Sequence, residues 1–277
     1  MELVGTTALV TGGPQRVGKA ITLALAEAGC DLLLHYRSSA GPAEETASEI
    51  EGLGRRVALV KADLADPESA PSVIGAAGDL APVRVLVNSA AVFPEDSLAD
   101  VTVEGFRSTL DTNLAGPVFL TRAFADALPA DVEGAVVNVT DWRTARPYPD
   151  HFSYTVAKGG LDTFTQAAAE ALAPRIRVNG VALGAILPPP GRDSAYLREL
   201  AREIPLQRVG DPGLVAATVL HLLANDFITG EIVRIHGGAH LRYCLLYTSD
   251  AADDSKRVLV GGGGGGGVGG GGGGGGG

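Results

Sequence analysis

Short apolar runs of strand length alternate with amphipathic segments of helix length along most of this chain, and that rhythm limits what it can fold into. Residues 7–10 are followed by 17–28, 31–36 by 43–53, and 57–60 closes a βαβαβ unit. The pattern resumes with 83–87, a long polar–apolar region at 101–128, then 135–139, 152–172, 176–181, 214–223 and 231–235. Strand runs that are apolar throughout, rather than at every second residue, belong to strands covered on both faces. The expectation is therefore an α/β fold: one doubly wound parallel sheet of about seven strands flanked by helices. Ligands in such a sheet bind at the carboxyl ends of the strands, near the point where strand order reverses.

Residues 1–242 are enough for one such domain. Beyond them, residues 261–277 are Gly apart from Val268, and 243–260 shows no period, so 243–277 is expected to be a non-native or disordered Gly-rich tail. The 32 acidic against 22 basic residues give a net charge of −10, which disfavours nucleic acid as a partner. Cys30 is the one thiol outside the tail, so neither a disulfide framework nor a cysteine zinc cluster is expected, and the compartment is a reducing one. His151, His221, His236 and His240 lack metal-ligand spacing, and no metal is expected. No apolar run approaches the roughly 20 residues that span a bilayer. The first residues lack the basic start and apolar core of a secretory signal, which makes the cytoplasm the expected location and excludes a membrane partner.

The first strand-to-helix turn reads Thr11-Gly12-Gly13-Pro14-Gln15-Arg16-Val17-Gly18. Backbone N–H groups and the helix dipole at such a turn favour a pyrophosphate, the mark of a Rossmann-type dinucleotide site, and Arg16 can reach the phosphates or a bound substrate. An NAD site usually ends its second strand with an acid for the ribose hydroxyl. Here the chain reads His35-Tyr36-Arg37-Ser38, and Arg37 with Ser38 suits a 2′-phosphate, so NADPH is the expected cofactor. Asp63 and Leu64 are placed to cap the adenine pocket, although Asp63 serves equally as a turn cap. Asn88 and Ala90, after the fourth strand, keep side chains small or polar where backbone must pass close to the cofactor. Residues 187–205, opening on Pro188, Pro189 and Pro190, read as an insertion over the site.

Tyr154 and Lys158 stand four apart on a helix and so share one face. The ammonium is expected to favour phenolate and lower the Tyr154 pKa, making it a proton donor or relay during hydride transfer, while Lys158 also holds the nicotinamide ribose. Asn113 is a candidate for positioning a water linked to Lys158. Trp142 either lines the substrate pocket or packs in a core or interface.

In this order, these pieces resemble the short-chain dehydrogenase/reductase family over residues 5–242. That family usually carries Ser thirteen positions before the tyrosine, where this chain has Asp141. Asp141, Arg16 in the glycine turn and the His35-Tyr36-Arg37-Ser38 run together are similar to the pteridine reductases. The resemblance implies reduction of a dihydropterin or dihydrofolate, with Asp141 and Tyr154 managing the proton and with Arg16, Phe93, Asp141 and Tyr154 contacting the substrate. Phe93 matches the phenylalanine that stacks on the pterin. It also implies a homotetramer or homodimer. The runner-up is a carbonyl or 3-oxoacyl reductase, and a non-catalytic NADP-binding protein is the reading from another class.

Overall fold

The structure is a computed structural model that describes residues 1–189 and 193–241. The Gly-rich tail from 243 and the centre of the Pro-rich segment, including Pro190, lie outside the described residues. Met1–His240 forms one compact unit.

Seven parallel strands make a single sheet in the order β3-β2-β1-β4-β5-β6-β7. They are β1 (Thr7–Thr11), β2 (Asp31–Tyr36), β3 (Val57–Lys61), β4 (Val83–Asn88), β5 (Gly134–Asp141), β6 (Ile176–Leu183) and β7 (Ile232–Ile235). Strand order reverses between β1 and β4, which opens the crevice expected of a doubly wound sheet. Alternate residues of each strand point to opposite faces, and both faces are apolar. Ala8, Val10, Leu32, Leu34, Val85 and Val87 pack against Ile21, Leu25, Val219 and Leu222 on one side. Leu9, Leu33, Leu86 and Val136 meet Ile74, Leu120 and Phe124 on the other. This two-sided burial is why the strands read as unbroken apolar runs.

The first face is covered by α1 (Arg16–Glu27) and α8 (Pro212–Ala224), with α2 (Ala40–Gly52) beside β2 and β3. The second carries α3 (Ala70–Gly75), α5 (Gly116–Ala127) and α6 (Phe152–Leu172), and α4 (Val103–Leu110) packs on α6. Helix α7 (Ser194–Glu203) lies in the segment after β6. Local chemistry starts several of these helices. Asp211 accepts from the Leu214 N–H ahead of Pro212 in α8, and Thr102 accepts from the Gly105 N–H in α4. The region 101–128 is not one helix: α4 and α5 are joined by a π-helical turn, Asp111–Ala115. Strand β5 runs two residues past its apolar stretch, because Thr140 and Asp141 still pair with Ala182 and Leu183 of β6.

The turn between β1 and α1 is closed by glycine. A Cβ on Gly18 would stand 2.2 Å from the Gly12 carbonyl oxygen, so the helix approaches the strand end only with no side chain there. His35, buried at the end of β2, fastens the arrangement. Its Nδ1 accepts from the Gly12 N–H at 3.3 Å while its Nε2 donates to the Ala62 carbonyl at 3.2 Å. These bonds use the neutral imidazole, and burial holds its pKa below the ordinary 6.5. The unfolded chain protonates the ring more readily, so this stability is complete above about pH 6.5 and is lost as pH falls through 6.5 toward the folded value. Urea unfolding at about pH 7.5 and about pH 5.5 is expected to give a lower midpoint in acid. His35→Gln should narrow the gap without closing it, since His236 is shifted the same way; an unchanged gap would refute the clamp.

Candidate active site

The carboxyl ends of β1, β2, β4 and β5 gather the residues singled out above. At the glycine turn, Gly12 has φ +65° and a Cβ there would crowd the Ala90 backbone at 3.0 Å. Thr11 holds that backbone in place: its Oγ1 accepts from the N–H groups of Ser89 and Ala90 at 2.9 and 3.0 Å. The start of α1 has no side-chain cap from Gln15. Its first N–H groups have no intrahelical acceptor, as a bound pyrophosphate requires, and Val17 and Gly18 lie in that first turn. These features fit a dinucleotide. Tyr36, half-buried, is followed by exposed Arg37 and Ser38 at the end of β2. Leu64 is buried after β3, whereas Asp63 is exposed and accepts from the Ala65 N–H, which is the turn-cap alternative.

Arg16 opens α1 in a left-handed conformation, φ +53°, that a side chain seldom adopts. Its guanidinium donates to the Pro188 carbonyl at 2.6 Å. It therefore spans from the turn to the segment after β6, bringing the Pro-rich stretch over the site.

The residues expected to carry the chemistry meet as one cluster. Tyr154 donates its hydroxyl proton to Asp141 Oδ2 at 3.0 Å, and the Arg143 N–H holds Asp141 Oδ1 at 2.9 Å. Lys158 donates to the Val139 carbonyl at 2.7 Å and lies 5.7 Å from the Tyr154 ring centre. Burial pushes the Asp141 carboxyl up from its usual range. Burial, together with the neighbouring Asp141, raises Tyr154 well above the ordinary phenol value. The expectation of a lowered phenol pKa is thus corrected: burial first, and then the Asp141 carboxyl at 3.0 Å, push it up. Burial also lowers Lys158 to about 8.

Asn113 holds the loop after β4. Its Oδ1 accepts from the Val92 N–H at 2.9 Å and its Nδ2 donates to the Val92 carbonyl at 2.8 Å. One amide hydrogen and one oxygen lone pair lock the loop after β4 to the π-helical turn. Asn88 forms a buried ladder, donating to Asn138 Oδ1 at 2.8 Å, and Asn138 donates to Thr165 at 2.9 Å. That ladder ties β4 to β5 and α6. Phe93 meets the Tyr154 ring edge-on, with centres 4.6 Å apart, but one of its faces already stacks on His151 at 3.7 Å. Trp142 touches Tyr148 and His236 edge-on beside Asp141.

Sequence reasoning passed over several residues. Asp96 accepts from the Ser153 N–H and hydroxyl and so caps α6 from the loop after β4. A cap from 57 positions away leaves no local signature. Arg143 forms an ion pair with Asp150 at 3.1 Å and lies over the Phe93 and Tyr148 rings. His151 begins α6 in a left-handed conformation, with Nδ1 on the Pro94 carbonyl at 2.6 Å. A cavity of about 650 Å³ lies outside the cluster, lined by Thr155, Val156 and Gly159, which follow Tyr154 and Lys158 by one or two positions and occupy a neighbouring face of α6.

Two substitutions separate the roles. Tyr154→Phe is expected to cut turnover by about 100-fold or more while cofactor affinity, read by fluorescence titration, stays unchanged. Asn113→Ala strands the Val92 N–H and C=O and should cost about 1–3 kcal/mol in urea unfolding; an unchanged stability would refute that contact.

Comparison with known proteins agrees with this geometry. Residues 14–240 match the family model described as Enoyl-(Acyl carrier protein) reductase. A solved structure of FolM alternative dihydrofolate reductase 1 from Brucella canis, complexed with NADP, is 35% identical. The match covers 87% of this chain and 96% of that one, with a TM-score of 0.81. The 3-oxoacyl-[acyl-carrier-protein] reductase of Synechocystis sp. is 31% identical over 85% of this chain and 97% of its own length. An NADPH-dependent aldehyde reductase-like protein, chloroplastic, from Arabidopsis thaliana is 29% identical over 86% and 95%. With a matching family model across most of its length and the glycine turn, Asp141, Tyr154 and Lys158 in one site, the chain belongs to the short-chain dehydrogenase/reductase family.

Proposed function

We propose that this protein is an NADPH-dependent reductase acting on the C=N bond of a pterin-type substrate, a dihydropterin or dihydrofolate. The observation that carries the reading is the hydrogen bond from Tyr154 to Asp141, which puts a buried carboxyl where the family usually has serine. NADPH, when bound, supplies the hydride to carbon. The chain's own task is then to deliver a proton to the adjacent ring nitrogen. Tyr154 stays protonated, and Asp141, raised above the usual carboxylate range, takes up a proton more readily than an exposed acid would. The Arg143 N–H fixes one Asp141 oxygen and leaves the other to share the proton with Tyr154. Lys158 is anchored on β5 through Val139, where it can hold the ribose. Phe93, packed edge-on to Tyr154, bounds the space for a planar ring. Arg37 and Ser38 favour a 2′-phosphate, and the similar Brucella protein was crystallised with NADP.

A carbonyl or 3-oxoacyl reductase is the second reading, favoured by the names of the Synechocystis and Arabidopsis relatives. Asp141 stands where the family usually carries the serine that polarises a ketone, and that replacement argues for the first. Exposed Phe119 and Val156 on α5 and α6 support a homotetramer or homodimer built on those helices.

The test is NADPH oxidation in the presence of dihydrobiopterin, dihydrofolate or an acetoacetyl thioester. Pterin turnover is expected, and thioester turnover alone would move the protein to the second reading. Asp141→Ser should lower pterin turnover and raise that of the thioester. Arg37→Ala should weaken NADPH by about tenfold or more, the size of a charge-assisted bond, while leaving NADH where it was.

A further inference from the structure

The most unusual group at the mouth of the site is Arg143, a residue the family comparison does not single out. It sits in the turn directly after β5, two positions beyond Asp141, and its own N–H orients that carboxyl. Its side chain is partly buried, with an exposure of 19%, and its guanidinium lies over two aromatic rings: Phe93 at 5.8 Å and Tyr148 at 5.1 Å from the ring centres. Phe93 is the same ring that edges Tyr154, so the cation stands one aromatic ring away from the proton donor. The carboxylate that pairs with it, Asp150, is 54% exposed.

That asymmetry is informative. An Arg whose guanidinium lies over two rings has little side-chain freedom left to lose when a carboxylate arrives. Its present partner is more than half exposed, with its other oxygen 3.9 Å from His151 Nε2, and can turn to water at little cost. Exchange of one carboxylate for another keeps the half-buried cation paired throughout, whereas a neutral group in the same place gains nothing from it.

We propose that Arg143 is a carboxylate-recognising residue of the substrate site: Asp150 holds the guanidinium in the free protein and yields it to a carboxylate carried by the substrate outside the ring that is reduced. The inference rests on the pterin reading and narrows it to an anionic pterin of the dihydrofolate kind over neutral dihydropterins.

The experiment compares KM and kcat for dihydrofolate, which carries carboxylates, and dihydrobiopterin, which does not, in wild type, Arg143→Gln and Asp150→Asn. Arg143 also places charge near Asp141 and Tyr154, so a change of kcat shared by both substrates is expected in Arg143→Gln and tells against nothing. The informative quantity is the ratio of the two KM values. Arg143→Gln should raise KM for dihydrofolate by about tenfold or more relative to dihydrobiopterin, the size of one charge-assisted hydrogen bond. Asp150→Asn, which removes the competing carboxylate, should lower KM for dihydrofolate and leave that for dihydrobiopterin unmoved. The proposal is overturned if Arg143→Gln raises both KM values alike, or if Asp150→Asn does not tighten dihydrofolate. If wild type reduces neither pterin, the pterin reading itself fails and takes this one with it. Turnover of both with an unmoved ratio defeats Arg143 alone.

Discussion

A parallel sheet covered on both faces can offer polar side chains only where its strands end, and the rest of this structure depends on that restriction. Leu9, Val10, Leu33, Leu34 and Leu86 are fully buried. At the strand ends the chemistry begins at once: Thr11 after β1's apolar stretch, His35 and Tyr36 on β2, Asn88 on β4, Asp141 on β5. Because all seven strands run the same way, these ends share one edge, and the reversal of order between β1 and β4 opens a crevice there. The polar residues at the edge also hold it together. Thr11 binds the backbone after β4, His35 binds the turn after β1, and the Asn88–Asn138–Thr165 ladder ties β4 and β5 to α6.

Burial then sets the character of the catalytic pair. In water a carboxylic acid and a phenol differ so much in acidity that the carboxylate alone is ionised. Inside this site both are shifted in the protonated direction by desolvation, and the first charge to ionise makes the second harder to form. The pair therefore behaves as one proton-holding unit, joined by the Tyr154–Asp141 bond and steadied by the Arg143 N–H. Lys158, with its ammonium on the Val139 carbonyl, contributes position more than a direct pull on the phenol.

The central strands were legible because their apolar runs are buried on both faces, and α6 was legible as a helix-length segment from Phe152 to Leu172. Tyr154 and Lys158 share a face of that helix by spacing alone, and Asp141 stood out at a fixed distance from the tyrosine. What stayed hidden depends on contacts between distant segments. Asp96 as a cap for α6, Arg16 on Pro188 and His151 over Phe93 leave no trace in local composition. The contact of Asn113 with Val92 was hidden because Val92 takes part through its backbone, which offers nothing for a sequence pattern to catch. The direction of the Tyr154 shift was misjudged because spacing on a helix reveals that a lysine is near, but not how deeply the phenol is buried.

The position of Trp142 has an optical consequence. It is the single tryptophan of the chain, and it stands next to Asp141 with its ring edge-on to Tyr148 and His236. Indole emission excited on the red side of tyrosine absorption thus originates from one place in the molecule, the rim of the catalytic crevice. Quenching, energy transfer to a bound dihydronicotinamide and a shift in emission colour all report on that rim without a label and without any background from the rest of the fold.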